Sequence, residues 1–374
     1  MDTQVAPESR AFDANARNWR DDVEFRARCV TQLRDGLVRA QERLRRILVT
    51  EIGTPVAMTY GIQLAFPIEE AGFWPDQARR FAFLRDAGTH SGLGRTFRQK
   101  LQSLPVGVVA AITPWNAPLY LNVTESVPAL LAGNAGILKP AQLTPWAGLE
   151  LGRIAAEETD IPPGIFQVVV SNDNDVAAAL TADPRVDMVT FTGSTAVGKL
   201  IMERAALNVP KMTLELGGKS PHLVFADADL DAAAKAATSG VFFNAGQVCS
   251  AGTRLLVEDR VYDEMAERLV ARAAVLKVGD PGAEDTYVGP LISQRQLDRV
   301  IGYVEKGVAE GARLRTGGRR LDCPGYFVPP TIFSDVDNAM TIAREEIFGP
   351  VLSLLRFSGD DEAVAIANDS PYSL

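Results

Sequence analysis

From residue 106 onward, short continuous apolar runs alternate with helical segments, and this alternation restricts the fold more than any other feature of the chain. Residues 106–112 (Val-Gly-Val-Val-Ala-Ala-Ile) run without a polar break, as a strand buried on both faces requires. Thr113-Pro-Trp-Asn-Ala-Pro118 reads as a loop. A helix over 119–131, interrupted by Pro128, leads to a strand over 135–138. Thr144 caps the next helix and Pro145 is its first residue. A strand over 166–170, a short helix over 175–180 and a strand over 186–192 follow. Gly193-Ser-Thr-Ala-Val-Gly198 then opens another helix. Beyond residue 220 the pattern resumes with strands over 222–225 and 254–258, helices over 262–275 and 294–310, and strands over 327–333 and 351–357. Such alternation predicts open parallel sheets with helices on both faces, binding ligands at the carboxyl ends of the strands.

The earlier part is different. Residues 1–18 are polar and read as loose. Residues 19–50 read as one long helix ended by Gly53-Thr-Pro55, and 68–86 as a second. Turn glycines and partial alternation over 92–105 predict a hairpin. At 374 residues the chain is too long for one ordinary core, so two domains are expected.

Bulk properties exclude several classes of function. The net charge of −9 argues against nucleic acid, whose phosphates need clustered Lys and Arg. Four arginines do fall within residues 39–46, with Glu42 among them, and read as a solvated helix face. No apolar run reaches transmembrane length, and the first residues lack a secretory pattern, so a cytoplasmic protein is expected. Cys29, Cys249 and Cys323 have neither zinc nor redox spacing, so no metal is expected. With only His90 and His222 present, a Ser-His or Cys-His triad is disfavoured.

Two stretches carry the chemistry. Leu214-Glu-Leu-Gly-Gly-Lys-Ser-Pro221 supplies Glu215, and Phe242-Phe-Asn-Ala-Gly-Gln-Val-Cys-Ser250 supplies Cys249. An isolated cysteine is usually a small buried hydrophobe. This one follows an alanine-rich helix, capped by Asp227 or Asp229 and stopped by Asn244-Ala-Gly246, and precedes a strand. Catalytic side chains are commonly carried on such loops. A thiolate that attacks a carbonyl and a carboxylate that later activates water suffice for acyl chemistry through a thioester. Backbone amides, a bound nicotinamide cation or a water relayed to Glu215 would activate the thiol.

These two stretches, with the spacing between Glu215 and Cys249, resemble the NAD(P)-dependent aldehyde dehydrogenase family. The resemblance extends over nearly all of residues 19–374, with the chain looking shortened at both ends relative to that family. It implies a Rossmann-like cofactor-binding domain over 1–216, including an oligomerisation hairpin at 88–105, and a catalytic domain over 217–374, incomplete at its carboxyl end. Two parallel-sheet α/β domains are thus expected, forming a homo-oligomer when the full-length chain is present. It implies that Cys249 is the nucleophile, Glu215 the base and Asn116 the oxyanion donor. Taken without the resemblance, Asn116 reads as a helix cap and Glu215 as a surface residue ending a strand.

For NAD, the resemblance implies contacts from Thr113, Pro114, Trp115, Lys139, Gln142, Gly193, Ser194, Leu216, Gly217, Gln296, Glu346 and Phe348. Gln142 stands where many members carry Glu, which removes a repulsion against a 2′-phosphate and admits NADP. Gly193 to Lys199 nearly spells a phosphate loop of NTPases, but Leu200 stands where Ser or Thr must hold Mg²⁺. The implied partner is a small-molecule aldehyde, oxidised to a carboxylic acid. Two alternatives stay open: a dehydrogenase fragment without activity, and a relative that passes the acyl group to coenzyme A.

Overall fold

The computed structural model describes residues 19–374; residues 1–18 lie outside the described residues. The chain divides into two compact units. The first comprises the described residues up to Leu44 with Ile62–Glu215, and the second Arg45–Gly61 with Leu216–Leu374. The short segment Arg45–Gly61, which the sequence assigns to the first domain, therefore packs with the second unit.

The first unit is built on five parallel strands: β3 (Val108–Ile112), β4 (Ala135–Lys139), β5 (Phe166–Val168), β6 (Met188–Thr192) and β7 (Lys211–Glu215). Their order across the sheet is β5-β4-β3-β6-β7. Both β3 and β4 are buried at every position, which is why they read as unbroken apolar runs. The chain leaves β3 toward one edge and returns to β6 on its other side, so the strand order reverses between β3 and β6. Pro128 remains inside the helix Pro118–Leu131, which follows β3.

The amino-terminal helix expected over 19–50 is two helices, Val23–Arg39 and Gln41–Ile52, parted at Ala40 (φ −84°, ψ 3°). The next helix, Ala65–Arg80, stops before the predicted end at 86, because Phe81 is extended and its ring meets Phe83 edge-on at 4.8 Å. Residues from Leu84 instead form the hairpin of β1 (Leu84–Gly92) and β2 (Arg95–Gln102), a separate antiparallel sheet. Leu93 and Gly94, both at positive φ, make its two-residue turn. The arginine-rich stretch is not uniformly solvated. Arg39 and Arg43 pair with Glu158 and Glu150, whereas Arg45 is buried, donates to the Thr59 hydroxyl and lies 4.2 Å over the Tyr60 ring.

The second unit holds β8 (Pro221–Val224), β9 (Arg254–Glu258), β10 (Arg313–Thr316), β11 (Thr331–Ser334) and β12 (Val351–Phe357), in the order β10-β11-β12-β9-β8. Only β10 runs antiparallel to its neighbour. The strand β10 and the helices Thr341–Arg344 and Asp360–Asn368 are absent from the sequence-based expectation. Leu255, Leu256, Phe333, Leu352 and Leu354 form the centre of the core. Arg254 is 1% exposed and satisfies its guanidinium on the Lys219, Ile366 and Ala367 carbonyls and on Asn338 Oδ1, at 2.8–3.0 Å. Among the described residues, no helix is long and apolar enough to cross a membrane.

Candidate functional site

In the first unit, the reversal of strand order at β3 and β6 is where open parallel sheets bind ligands. The β3 loop begins with Thr113, whose amide donates to the Lys139 carbonyl (3.2 Å) and whose hydroxyl donates to Asn122 Oδ1 (2.6 Å). Pro114 and Trp115 are half-buried, and Asn116 is buried. The Asn116 carbonyl accepts from Gln63 Nε2 at 3.0 Å, so this turn is held from outside the loop. Asn116 does not cap the following helix, whose N-cap is Ala117.

The β6 loop brings Gly193 and Ser194 to the start of the helix Thr195–Ala205. The Gly193 amide donates to the Glu215 carbonyl (2.9 Å), and Ser194 Oγ accepts from the Val197 amide (3.3 Å). Free amides at a helix start favour an anion. At the end of β4, Lys139 is 4% exposed. Burial holds its ammonium below the usual lysine range, and Asp173 partly opposes the shift. Gln142 is exposed and donates to Asn174 Oδ1 at 3.1 Å. Glu215 ends β7 with its side chain exposed. Together the two loops, the helix start and the buried cation have the donor chemistry that a dinucleotide needs.

In the second unit, Asp229 accepts from the amides of Asp231 and Ala232 and caps the helix Leu230–Phe242. The chain then turns through Asn244 (φ 50°), Ala245 (φ 54°) and Gly246 (φ 72°), all left-handed. Gln247 clamps this turn: its Nε2 donates to the Asn244 carbonyl (3.1 Å) and its Oε1 accepts from the Ile292 amide (3.0 Å). Cys249 follows, half-buried. A Cβ on Gly246 would lie 2.0 Å from the Gly349 carbonyl oxygen. Gly246→Ala should therefore cost about 3 kcal/mol through clash and positive φ together. Urea unfolding of the variant checks this, and an unchanged midpoint would refute it.

The carbonyl of Cys249 lies against Gly218, where a Cβ would come within 2.4 Å of its oxygen. The Gly218 amide donates to Glu346 Oε1 at 3.3 Å, and Gly217 faces the same carboxylate. Burial raises the Glu346 carboxyl above its ordinary value. Leu216 is half-buried. Gln296 donates to the Phe348 (2.7 Å) and Ile347 (3.3 Å) carbonyls, and Arg299, one turn along, donates to the Glu346 carbonyl (2.6 Å). The structure thus brings Gly217, Gln296, Glu346 and Phe348 together. The sequence reading missed Arg299, which its spacing from Gln296 on one helix face would have indicated. It also assigned no role to Lys219 or Glu125. Among the described residues, no group of three or more His, Cys, Asp or Glu could hold a metal.

An open α/β unit of dinucleotide-binding topology joined to a second parallel-sheet unit defines the class of fold. A sequence profile of the aldehyde dehydrogenase family matches residues 3–374. Human retinaldehyde dehydrogenase 3 is 39% identical over 378 residues, spanning 100% of this chain and 72% of that protein. The crystal structure of an NAD-dependent aldehyde dehydrogenase from Sinorhizobium meliloti is similar at a TM-score of 0.92 and 40% identity, over 98% of this chain and 72% of that one. That of Mycobacterium tuberculosis aldehyde dehydrogenase complexed with NAD+ is similar at 0.93 and 38%, over 99% and 75%. The chain belongs to the aldehyde dehydrogenase family and is an oxidoreductase.

Proposed function

We propose that the chain oxidises an aldehyde to a carboxylic acid through a covalent intermediate on Cys249. The observation that carries this reading is the contrast among its thiols. Cys29 is buried in a helix, where burial pushes its thiol up to about 11, and Cys323 is exposed. Cys249 alone of the three is half-buried, on a loop clamped by Gln247.

In this reading the Cys249 sulfur bonds to the aldehyde carbon and the carbonyl oxygen takes up negative charge. The side-chain amide of Asn116 and the Cys249 amide donate to that oxygen. When bound, NAD or NADP supplies a nicotinamide that accepts the hydride. Thr113, Pro114, Trp115, Lys139, Gln142, Gly193, Ser194, Leu216, Gly217, Gln296, Glu346 and Phe348 would hold it. Gln142 places no negative charge against a 2′-phosphate, which supports use of NADP beside NAD. Glu215 then takes a proton from the water that hydrolyses the thioester. A cytoplasmic homo-oligomer, with the exposed hairpin as a contact element, accords with this reading.

Mixing the chain with NAD or NADP and a panel of aliphatic and aromatic aldehydes tests it, with reduced cofactor followed by absorbance and Cys249 by peptide mass. An acyl adduct confined to Cys249 is expected. Aldehyde-dependent reduction without that adduct in any quenched sample, including those of Glu215→Gln, would reject the covalent route. Release of the acyl group only to added coenzyme A would reject hydrolysis. Asn116→Ala should lower kcat by about 10²–10³ with folding unchanged, the loss typical of one oxyanion donor. Steady-state kinetics check this, and an unchanged kcat removes Asn116 from the role.

A further inference from the structure

Two buried amide side chains that the reading above leaves without a role, Gln63 and Asn122, hold the loop after β3 near both of its ends. Asn122 lies in the second turn of the helix Pro118–Leu131 and is 0% exposed. Its Oδ1 accepts from the Thr113 hydroxyl at 2.6 Å. This bond closes the base of the loop, because Thr113 leaves β3 and Asn122 belongs to the helix that the loop enters. Gln63 precedes the helix Ala65–Arg80 and is 1% exposed. Its Nε2 donates to the Asn116 carbonyl at 3.0 Å. Pro114, Trp115 and Asn116 are thus strung between two buried anchors.

Stability alone would not select Asn122. A buried amide costs free energy unless its polar atoms are paired, and an apolar side chain avoids that cost. Asn122 Nδ2 is buried without a hydrogen-bond partner, so only the acceptor half of this amide is used. The helix Pro145–Glu158 packs onto the unused half at Gly148, where a Cβ would lie 3.2 Å from Nδ2. Packing on that side keeps the oxygen on Thr113. What the two amides hold is the segment that carries Asn116. An oxyanion donor stabilises developing charge most when it is already in place, and a donor that must be ordered during the reaction loses part of its effect.

We propose that Gln63 and Asn122 are positioning residues for the oxyanion site, acting through Asn116. This rests on the function proposed above. Their contribution falls on the transition state, where the aldehyde oxygen carries charge, and not on binding of the neutral aldehyde.

Fluorine NMR of the full chain labelled with 5-fluorotryptophan, without cofactor, reports the loop directly. The lines are those of Trp19, Trp74, Trp115 and Trp146, with that of Trp115 assigned through Trp115→Phe. Asn122→Ala and Gln63→Met should each broaden or split the Trp115 line and leave the other three narrow. Each should lower kcat roughly 10-fold with the aldehyde KM little changed, a smaller loss than removal of the Asn116 side chain. Added to Asn116→Ala, neither should lower kcat further, because the effect passes through that side chain. A merely structural role would disturb all four lines and multiply with the loss from Asn116→Ala. Asn122→Asp keeps the acceptor oxygen and discards only the unpaired Nδ2, so it should restore most of the rate and a narrow Trp115 line. Thr113→Val removes the same bond without burying a charge and should broaden the Trp115 line as Asn122→Ala does. A single narrow Trp115 line in Asn122→Ala, Gln63→Met and Thr113→Val overturns this proposal alone. An unchanged kcat, or a further loss in the Asn116→Ala background, does so too. No Cys249 adduct in the parent chain overturns the function proposed above and this proposal with it.

Discussion

Cys249→Ala is expected to abolish aldehyde-dependent reduction of both NAD and NADP while leaving the chain folded. Removal of a nucleophile costs on the order of 10⁶ in kcat where it has been measured in proteases, and no other thiol here can replace this one. Cys29 is 0% exposed and its thiol is held near 11 by burial, so it is neither reachable nor ionised. Cys323 lies exposed on a loop with none of the clamping that fixes residues 244–249. Folding should survive, because Gln247 and the Gly246–Gly349 backbone contact hold the turn without using the sulfur. Serine should fail almost as completely, since a hydroxyl needs a base to become nucleophilic. Cofactor absorbance measures turnover, and circular dichroism shows whether the fold is kept. Turnover by a folded Cys249→Ala chain would sink the covalent mechanism.

Legibility of the fold followed burial. Strands β3 and β4 could be read because a strand covered on both faces is apolar over most of its length, and the loop after β3 stood out as a polar break. The helix Leu230–Phe242 could be read from its cap, and the start of the cysteine loop from Asn244-Ala245-Gly246, a turn sequence although it is buried. The break at Ala40 could not, since Arg-Ala-Gln contains no helix breaker and the hydrogen bonds Ala40 N–H to Gly36 and Leu44 N–H to Ala40 carry on past it. The end of the helix Ala65–Arg80 was hidden because Phe81 and Phe83 fit a helical face as well as an extended segment. Burial of Arg45 and Glu125 was equally hidden. Each sits among polar neighbours, and its surroundings come from residues distant in sequence. Motifs located the residues of the candidate site; helical spacing from Gln296 pointed to Arg299, but which carbonyls of the turn at 346–348 the two meet is set by tertiary packing.

Lys219→Met should make the protein more stable. Lys219 is 1% exposed and its Nζ has no hydrogen-bond partner. Burial pushes its ammonium down to about 7; Arg254 adds to the fall, while Glu346 and Glu345 oppose it. The sign follows from the two states. The unfolded lysine titrates at about 10.5 and the folded one at about 7, so above 10.5 both states are neutral and nothing is lost. As pH falls toward 7 the unfolded chain gains a proton that the folded chain refuses, and stability declines. Below 7 the loss is complete, on the order of 5 kcal/mol for a gap of this size, and most of it is present at neutrality. Methionine fills a similar volume without the charge. Urea unfolding near pH 7 should therefore favour the variant by several kcal/mol, and the advantage should shrink as pH approaches about 10.5. A variant no more stable than its parent at pH 7 would show that the ammonium finds a partner. The same protein also tests function, because Lys219 adjoins Gly218, whose close approach seats the Cys249 carbonyl. A stabilised variant with full turnover makes the ammonium dispensable to catalysis, whereas a stabilised variant with lost turnover shows that its charge serves the cysteine loop.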